Sequence, residues 1–395
     1  MMINANDLHV FYCLYRDFPG NSSTAYYNYA RCLVEQGVRV TVVAGNDRKS
    51  AESKDRKFIS GVDVYRLETK LNDAMSVHPT WFAMKAFWLI SRLAQDKANS
   101  ILHQIAFPNL GLVLQPPPFF RLPKRQVLDI RATAVRREFL DRLSCKIIKF
   151  QAGLFKNVLV ISEEVAKRLK LDSYDVLPIG VNLSLFKRDE VKRARLRGSL
   201  GLKDTDLLLV YVGHLNPSRR LDLLLRSFWL AKSYIKNAMG TDLSMMIIGG
   251  GSDFERLRNI AKSGPCQDRT VYFVGPKPHD EIPAYLSAAD VGIAYIPETS
   301  QYFYQPPIKT YEYLASGLCT IATRTLGNLR VIADGDNGIL SDYREEAIAN
   351  AIIKVAANPE LRKKLSDNAR QSISEYDYRR IVAKILVPYY ERICR

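Results

Sequence analysis

Residues 305–323, QPPIKTYEYLASGLCTIAT, restrict the fold more than any other stretch of the chain. Pro306 and Pro307 stop whatever precedes them. Ile308, Tyr311 and Leu314 recur three residues apart, which predicts a helix over 308–316. Gly317 follows as the residue that tolerates a left-handed backbone at a helix end. The apolar run 318–322 then predicts a buried strand with no room for a long loop. A helix that drops straight into a buried strand is half of an α/β repeat. Lys309 and Glu312 lie on the first turns of this helix. Taken alone, the stretch leaves them equally open to surface decoration and to ligand binding.

The same grammar recurs along the chain. An apolar strand over 8–14 leads through a loop containing Gly20 into a helix over 24–36, then Gly37 and a strand over 39–44. That order is a Rossmann-like opening, although one glycine stands where a dinucleotide fingerprint has three. A plain β–α turn with a serine cap reads the loop equally well. Further strands are expected over 61–67, 101–106, 126–130 and 157–161. His103 lies in the second of these. Asp129 and Arg131 sit at the end of the third, where ligand groups gather in α/β sheets. In the second half, strands over 207–212, 244–248 and 270–274 end in glycines. After the first come Gly213, His214, Arg219 and Arg220; after the second, Gly249, Gly250 and Gly251. Glycines let a backbone approach a ligand closely, and cations beside them suit a phosphate.

These motifs, in this order, resemble the retaining glycosyltransferases of family 4. Pro307, Lys309, Glu312, Tyr313, Leu314, Ala315 and Gly317 fit the family variant P-x-K-x-x-E-Y-L-A-x-G. The segments around Val64, Ser162, Pro178, Gly180, Gly213, Gly249 and Asp290 follow the family order over nearly the whole chain. Two positions depart from the pattern. Tyr304 stands where the first of two glutamates would fall, and His214 replaces an arginine. The resemblance implies a GT-B fold: two Rossmann-like domains facing a cleft, with a C-terminal helix crossing back to the first. The expected boundaries are 1–190 for the acceptor side, 191–375 for the nucleotide-sugar side and 376–395 for the returning helix. The polar, basic segment 187–203 is expected to be the linker. The resemblance also implies sugar transfer, with retention, from a nucleotide-sugar donor to a lipid-linked or cell-envelope glycan acceptor, with no metal and no other cofactor. By the same likeness Arg219 and Lys309 hold the donor diphosphate and Glu312 its ribose. Gly20, Gly213, His214, Arg220, Gly249, Gly250 and Tyr304 line the donor. His103, Asp129 and Arg131 face the acceptor. A sugar-nucleotide epimerase of the same fold and a non-catalytic nucleotide-sugar-binding homologue remain open.

Charge adds a statement about partners. Residues 1–200 hold 32 Lys and Arg against 19 Asp and Glu, a balance of +13 out of the total +16. No nucleic-acid motif accompanies this excess, so nucleic acid is not expected as a partner. Residues 136–149 instead interleave Arg136, Arg137, Arg142, Lys146 and Lys149 with apolar residues. Such a helix suits an anionic membrane surface. Residues 79–93 offer a wide apolar face that fits a core or a lipid-linked acceptor. No run of about 18 apolar residues exists, and no basic leader opens the chain, so a cytoplasmic protein peripheral on the inner face of the membrane is expected. Six scattered cysteines show no metal or disulfide spacing and read as buried thiols.

Overall fold

A computed structural model describes residues 5–15, 17–20, 23–46, 56–69, 79–94, 99–106, 121–132, 138–264, 270–299 and 302–395. Asn21, Ser22, Arg136, Arg137 and Cys266 lie outside the described residues. The chain divides into two compact units, Met1–Gly180 with Tyr378–Arg395, and Val181–Asp377.

The first unit is an eight-stranded sheet. In chain order its elements are β1 (His9–Leu14), α1 (Thr24–Glu35), β2 (Arg39–Asn46), β3 (Lys57–Ile59), β4 (Val62–Glu68), α2 (Pro79–Leu93), β5 (Ser100–Ile105), β6 (Arg125–Ile130), α3 (Glu138–Gly153), β7 (Asn157–Val160), α4 (Glu163–Leu169) and β8 (Asp175–Val176). The strands are ordered β3-β4-β2-β1-β5-β6-β7-β8. All pairs are parallel except β3 with β4. Strand alternation decides what each face buries. From β1, Val10, Tyr12 and Leu14 pack with α1 and with the last residues of the chain. Phe11 and Cys13 point the other way, against Phe82, Phe87 and Ile90 of α2. With both faces covered, β1 reads as an almost unbroken apolar run, as a parallel strand should.

The second unit holds α5 (Glu190–Ser199), β9 (Leu207–Val212), α6 (Leu221–Met239), β10 (Leu243–Ile248), α7 (Phe254–Lys262), β11 (Val271–Gly275), α8 (Ile282–Ala288), β12 (Val291–Ala294), α9 (Ile308–Ala315), β13 (Cys319–Thr323), α10 (Leu326–Leu329), β14 (Ile339–Ser341), α11 (Glu345–Ala357) and α12 (Pro359–Ser372). Its strands run β11-β10-β9-β12-β13-β14, all parallel. This is the doubly wound order, and the winding reverses between β9 and β12. The helix expected over 308–316 and the strand after it are α9 and β13, and Gly317 between them has φ +68°.

After Asp377 the chain rejoins the first unit. Helix α13 (Tyr378–Ile381) continues through a wider π-helical turn, Val382–Leu386, into α14 (Val387–Cys394). Tyr378, Ile381, Leu386 and Tyr390 enter the core beside β1 and α1. The returning helix is therefore part of that core.

The expected linker is a correction. Residues 187–203 contain α5, packed against α8 through charge. Arg193 and Arg197 both pair with Asp290, at 2.7 and 3.0 Å, and Arg197 also donates to the carbonyls of Lys203 and Asp206. Residues 181–190 also pack with the second unit, where Arg370 donates to the carbonyls of Leu183 and Phe186.

Candidate functional site

In the second unit the site grows from the carboxyl ends of β9 and β10, beside the strand-order reversal. Gly213 donates its N–H to Ile248 O at 2.9 Å, and Leu215 donates to Gly250 O at 2.9 Å. The two loops thus lie backbone against backbone. Gly249 has φ +144°, and a Cβ there would run into the Gly213 carbonyl. Only glycine fits that position. A Cβ on Gly213 would stand 2.9 Å from both Lys309 Nζ and Tyr211 Oη. The absent side chain at 213 is the space into which an ammonium projects.

Two cations meet there, each on an aromatic platform. Lys309, from the first turn of α9, sets Nζ 3.8 Å above the centre of the Tyr211 ring. Arg219, from the short turn after β9, lays its guanidinium 3.8 Å above Tyr302. The Tyr302 hydroxyl is held by Ser218 at 2.9 Å. Cation–π contact offsets part of the cost of removing such groups from water. It does not satisfy their donors. Lys309 Nζ, Arg219 Nε and Tyr211 Oη are all buried without a hydrogen-bond partner. Burial, and then the Arg219 charge, push the Lys309 ammonium well below its ordinary pKa, against the opposing pull of Glu312. Burial raises the Tyr211 hydroxyl to about 12. No carboxylate lies within ion-pair distance of Lys309 or Arg219 among the described residues. Such unsatisfied cationic donors suit an anion.

Glu312, one turn along α9, is 5% exposed. Its Oε1 lies 2.6 Å from His279 Nε2. Burial alone lowers the His279 pKa. The Glu312 hydrogen bond, the Glu312 charge and the nearby Asp280 charge outweigh that and hold it above the ordinary value. The folded state therefore favours the imidazolium. That stabilisation is present below the unfolded histidine pKa, about 6.5, and is lost as pH rises through the raised folded value. The cost of His279→Ala in thermal unfolding should accordingly be larger at pH 5.5 than at pH 9. An equal cost at both pH values would contradict the ion pair.

Gly20 ends a loop that closes on itself. Its N–H donates to Ser23 Oγ at 2.9 Å, and that hydroxyl donates to Asp17 O at 2.7 Å. Ser23 ties the loop and does not cap α1 with its side chain. His214 and Arg220 are exposed beside the cation pair, and Tyr304 stacks edge-on with Phe303. Gly250 rests against the Pro276 ring.

The three residues expected on the acceptor side form a knot inside the first unit. Asp129 Oδ2 accepts from Tyr26 Oη at 2.8 Å, Arg131 Nε at 2.8 Å and His103 Nε2 at 3.1 Å. His103 Nδ1 lies 2.7 Å from Tyr390 Oη, on the returning helix. His103 and Asp129 are 0% exposed, and only Arg131 reaches partway to solvent. Burial lowers His103 more than Asp129 raises it, which leaves a neutral ring that donates from Nε2 and accepts at Nδ1. Burial also opposes the Asp129 charge. The Arg131 charge, with hydrogen bonds from His103 and Arg131, overcomes it and holds the carboxyl below its ordinary range.

Residues 192–372, the span that holds the cation pair, match the family model described as Glycosyl transferases group 1. A D-inositol 3-phosphate glycosyltransferase of Acidothermus cellulolyticus is 29% identical over 225 residues, 55% of this chain and 48% of that protein. An N-acetyl-alpha-D-glucosaminyl L-malate synthase of Bacillus anthracis is 24% identical over 52% of this chain and 50% of its own. The chain spans about half the length of the curated relatives it matches. Among solved structures, sucrose-phosphate synthase from Thermosynechococcus elongatus superposes with a TM-score of 0.76 at 17% identity, over 97% of this chain and 98% of that one. Anabaena HepE in complex with UDP-glucose gives 0.73 at 15% identity, over 96% and 99%. The fold is GT-B, with two parallel-sheet Rossmann-like units and a C-terminal helix returning to the first.

Proposed function

We propose that the chain transfers a sugar, with retention, from a nucleotide-sugar donor to a glycan or lipid-linked acceptor. One observation bears most of this reading: Lys309 Nζ and Arg219 Nε are buried without a hydrogen-bond partner, and the ammonium lies beside Gly213. A donor diphosphate supplies the anion they lack. As the bond between the sugar C1 and the β-phosphate oxygen breaks, charge grows on that oxygen. Fixed cations aimed at it stabilise the transition state more than the ground state. The acceptor oxygen forms the new bond to C1 on the same face, and its proton passes to the departing phosphate. Glu312, oriented by His279 through one oxygen, offers the other to the ribose hydroxyls. The two side-chain cations provide the positive charge, and the reading calls on no metal. The UDP-glucose complex of HepE and the sugar-transferring relatives support the donor class. Turnover with a panel of labelled nucleotide sugars tests it. Transfer to an acceptor is expected with one of them. Binding without turnover would favour a non-catalytic homologue, and sugar interconversion without transfer would favour an epimerase.

We place the protein on the inner face of the membrane through the outer sides of α2 and α3. Trp81, Lys85, Trp88 and Arg92 recur at helical spacing on α2 and are all exposed, the two tryptophans at 67% and 54%. On α3, Arg142, Leu143, Lys146, Lys149 and Phe150 are exposed. Aromatic bodies with cationic neighbours suit the headgroup layer of an anionic bilayer, and each basic residue there contributes about 1 kcal/mol. No helix among the described residues is long and apolar enough to cross a membrane. Co-sedimentation is expected with anionic vesicles only, lost at high salt and weakened by Trp88→Ala or by Lys146→Glu with Lys149→Glu. Equal partitioning onto neutral and anionic vesicles, or none onto either, would remove the membrane from the account.

A further inference from the structure

A second cationic site lies in the first unit, away from the residues assigned to donor or acceptor. A cavity of about 540 Å³ opens where β6 and β7 begin, and the end of α14 forms its far wall. Lys124, Arg125, Lys156, Arg392 and Arg395 line it, and no aspartate or glutamate does. Arg125 and Asn157 are the first residues of parallel strands, so the cavity sits at the amino edge of the sheet. Substrates of doubly wound sheets gather at the carboxyl edge. Hydrogen bonds and an ion pair hold the walls in place. Arg125 donates Nε to Ile393 O at 3.0 Å and Nη2 to Cys394 O, meeting the carbonyl end of α14. Asn157 Nδ2 donates to Gln126 O at 3.1 Å. Arg392 pairs with Asp175 at 2.6 Å. Lys124 and Lys156 are exposed and form no ion pair among the described residues.

We propose that this cavity is a phosphate-binding site, taking a ligand with several phosphate groups that bridges the entrance of β6 and β7 to the end of α14. The volume falls in the range of small-ligand sites, about 300–1,000 Å³. The flexible lysines at the mouth supply mobile point charge, and the guanidinium groups behind them add fixed positive potential. Occupancy would tie the returning helix to the sheet, because the ligand touches both. The site does not depend on the sugar-transfer reading, since none of its residues takes part in that chemistry. A soluble polyphosphorylated molecule and a phosphomonoester lipid headgroup share the required chemistry.

The test uses the full chain with Arg219→Ala and Lys309→Met as background, which removes both cations of the second-unit pair. Inorganic tripolyphosphate is titrated by calorimetry. In parallel, vesicles of phosphatidylcholine with and without phosphatidic acid are co-sedimented. Lys124→Gln with Lys156→Gln removes two exposed cations at the mouth, outside the core. Lys262→Gln with Lys354→Gln makes the same change in charge on the second unit. The cavity pair is expected to weaken tripolyphosphate binding at least tenfold, with the control pair unchanged. Loss confined to phosphatidic acid vesicles would identify the headgroup as the source and also support the site. Binding that both pairs weaken equally, or that neither weakens with either probe, would overturn it.

Discussion

Arg219→Ala is expected to lower kcat/KM by roughly 150-fold, about 3 kcal/mol of transition-state stabilisation, comparable to removing one preorganised donor from an oxyanion site. The guanidinium is already in place before any ligand arrives. Its ring contact with Tyr302, itself held by Ser218, fixes the plane at 3.8 Å and leaves Nε buried and unpaired. Little reorganisation is then needed when charge develops on the leaving phosphate. Arg219→Lys should recover only part of the loss, because an ammonium does not reproduce a planar fork. The fold should survive Arg219→Ala, since Arg219 forms no ion pair among the described residues. A variant within twofold of the parent would take Arg219 out of the mechanism.

Asp129→Ala is expected to have the largest effect on stability, about 3–5 kcal/mol in chemical unfolding. The carboxylate is 0% exposed and accepts from three side chains, one on α1, one on β5 and one just after β6. Removing it leaves the Arg131 charge without a carboxylate and His103 and Tyr26 without an acceptor. The depressed pKa of Asp129 sets the pH dependence. Its contribution is present above the unfolded carboxylate value, about 3.9, and is lost as pH falls through the lower folded value. The difference between parent and variant should therefore narrow in acid. A stable variant with weakened acceptor binding would show instead that Asp129 serves the acceptor directly.

Much of the architecture is visible in local sequence. An apolar run that ends in glycine is a local signal, and β9, β10 and β13 fall within a residue of where their runs place them. Lys309 and Glu312 stand out because both lie on one short helix. Their partners do not. His279 is 33 residues from Glu312, and Tyr302 reaches Arg219 from beyond β12, so only the fold brings them together. Helix α5 escapes a search for apolar periodicity because its inward side is charged. Arg197 is 3% exposed, and the aspartate that justifies its burial lies at position 290. The knot around Asp129 is not legible locally, since Tyr26 and Tyr390 come from opposite ends of the unit's chain.

The central claim is that the second unit holds two cations, each with a buried nitrogen that no hydrogen bond satisfies, ready for the phosphates of a ligand. Lys309→Met tests it most directly. Methionine keeps an unbranched apolar stem as far as Cε while removing the ammonium that sits over Tyr211 and has no hydrogen-bond partner. Removing such a charge stabilises the free protein, by about 1 kcal/mol or some 2–4 °C for a unit of this size. Removing it from a phosphate site weakens the ligand. Nucleoside diphosphate titration and thermal unfolding, run on parent and variant, should therefore move in opposite directions: affinity down by tenfold or more, melting temperature up. Unchanged affinity, or a variant that melts lower than the parent, would contradict the account.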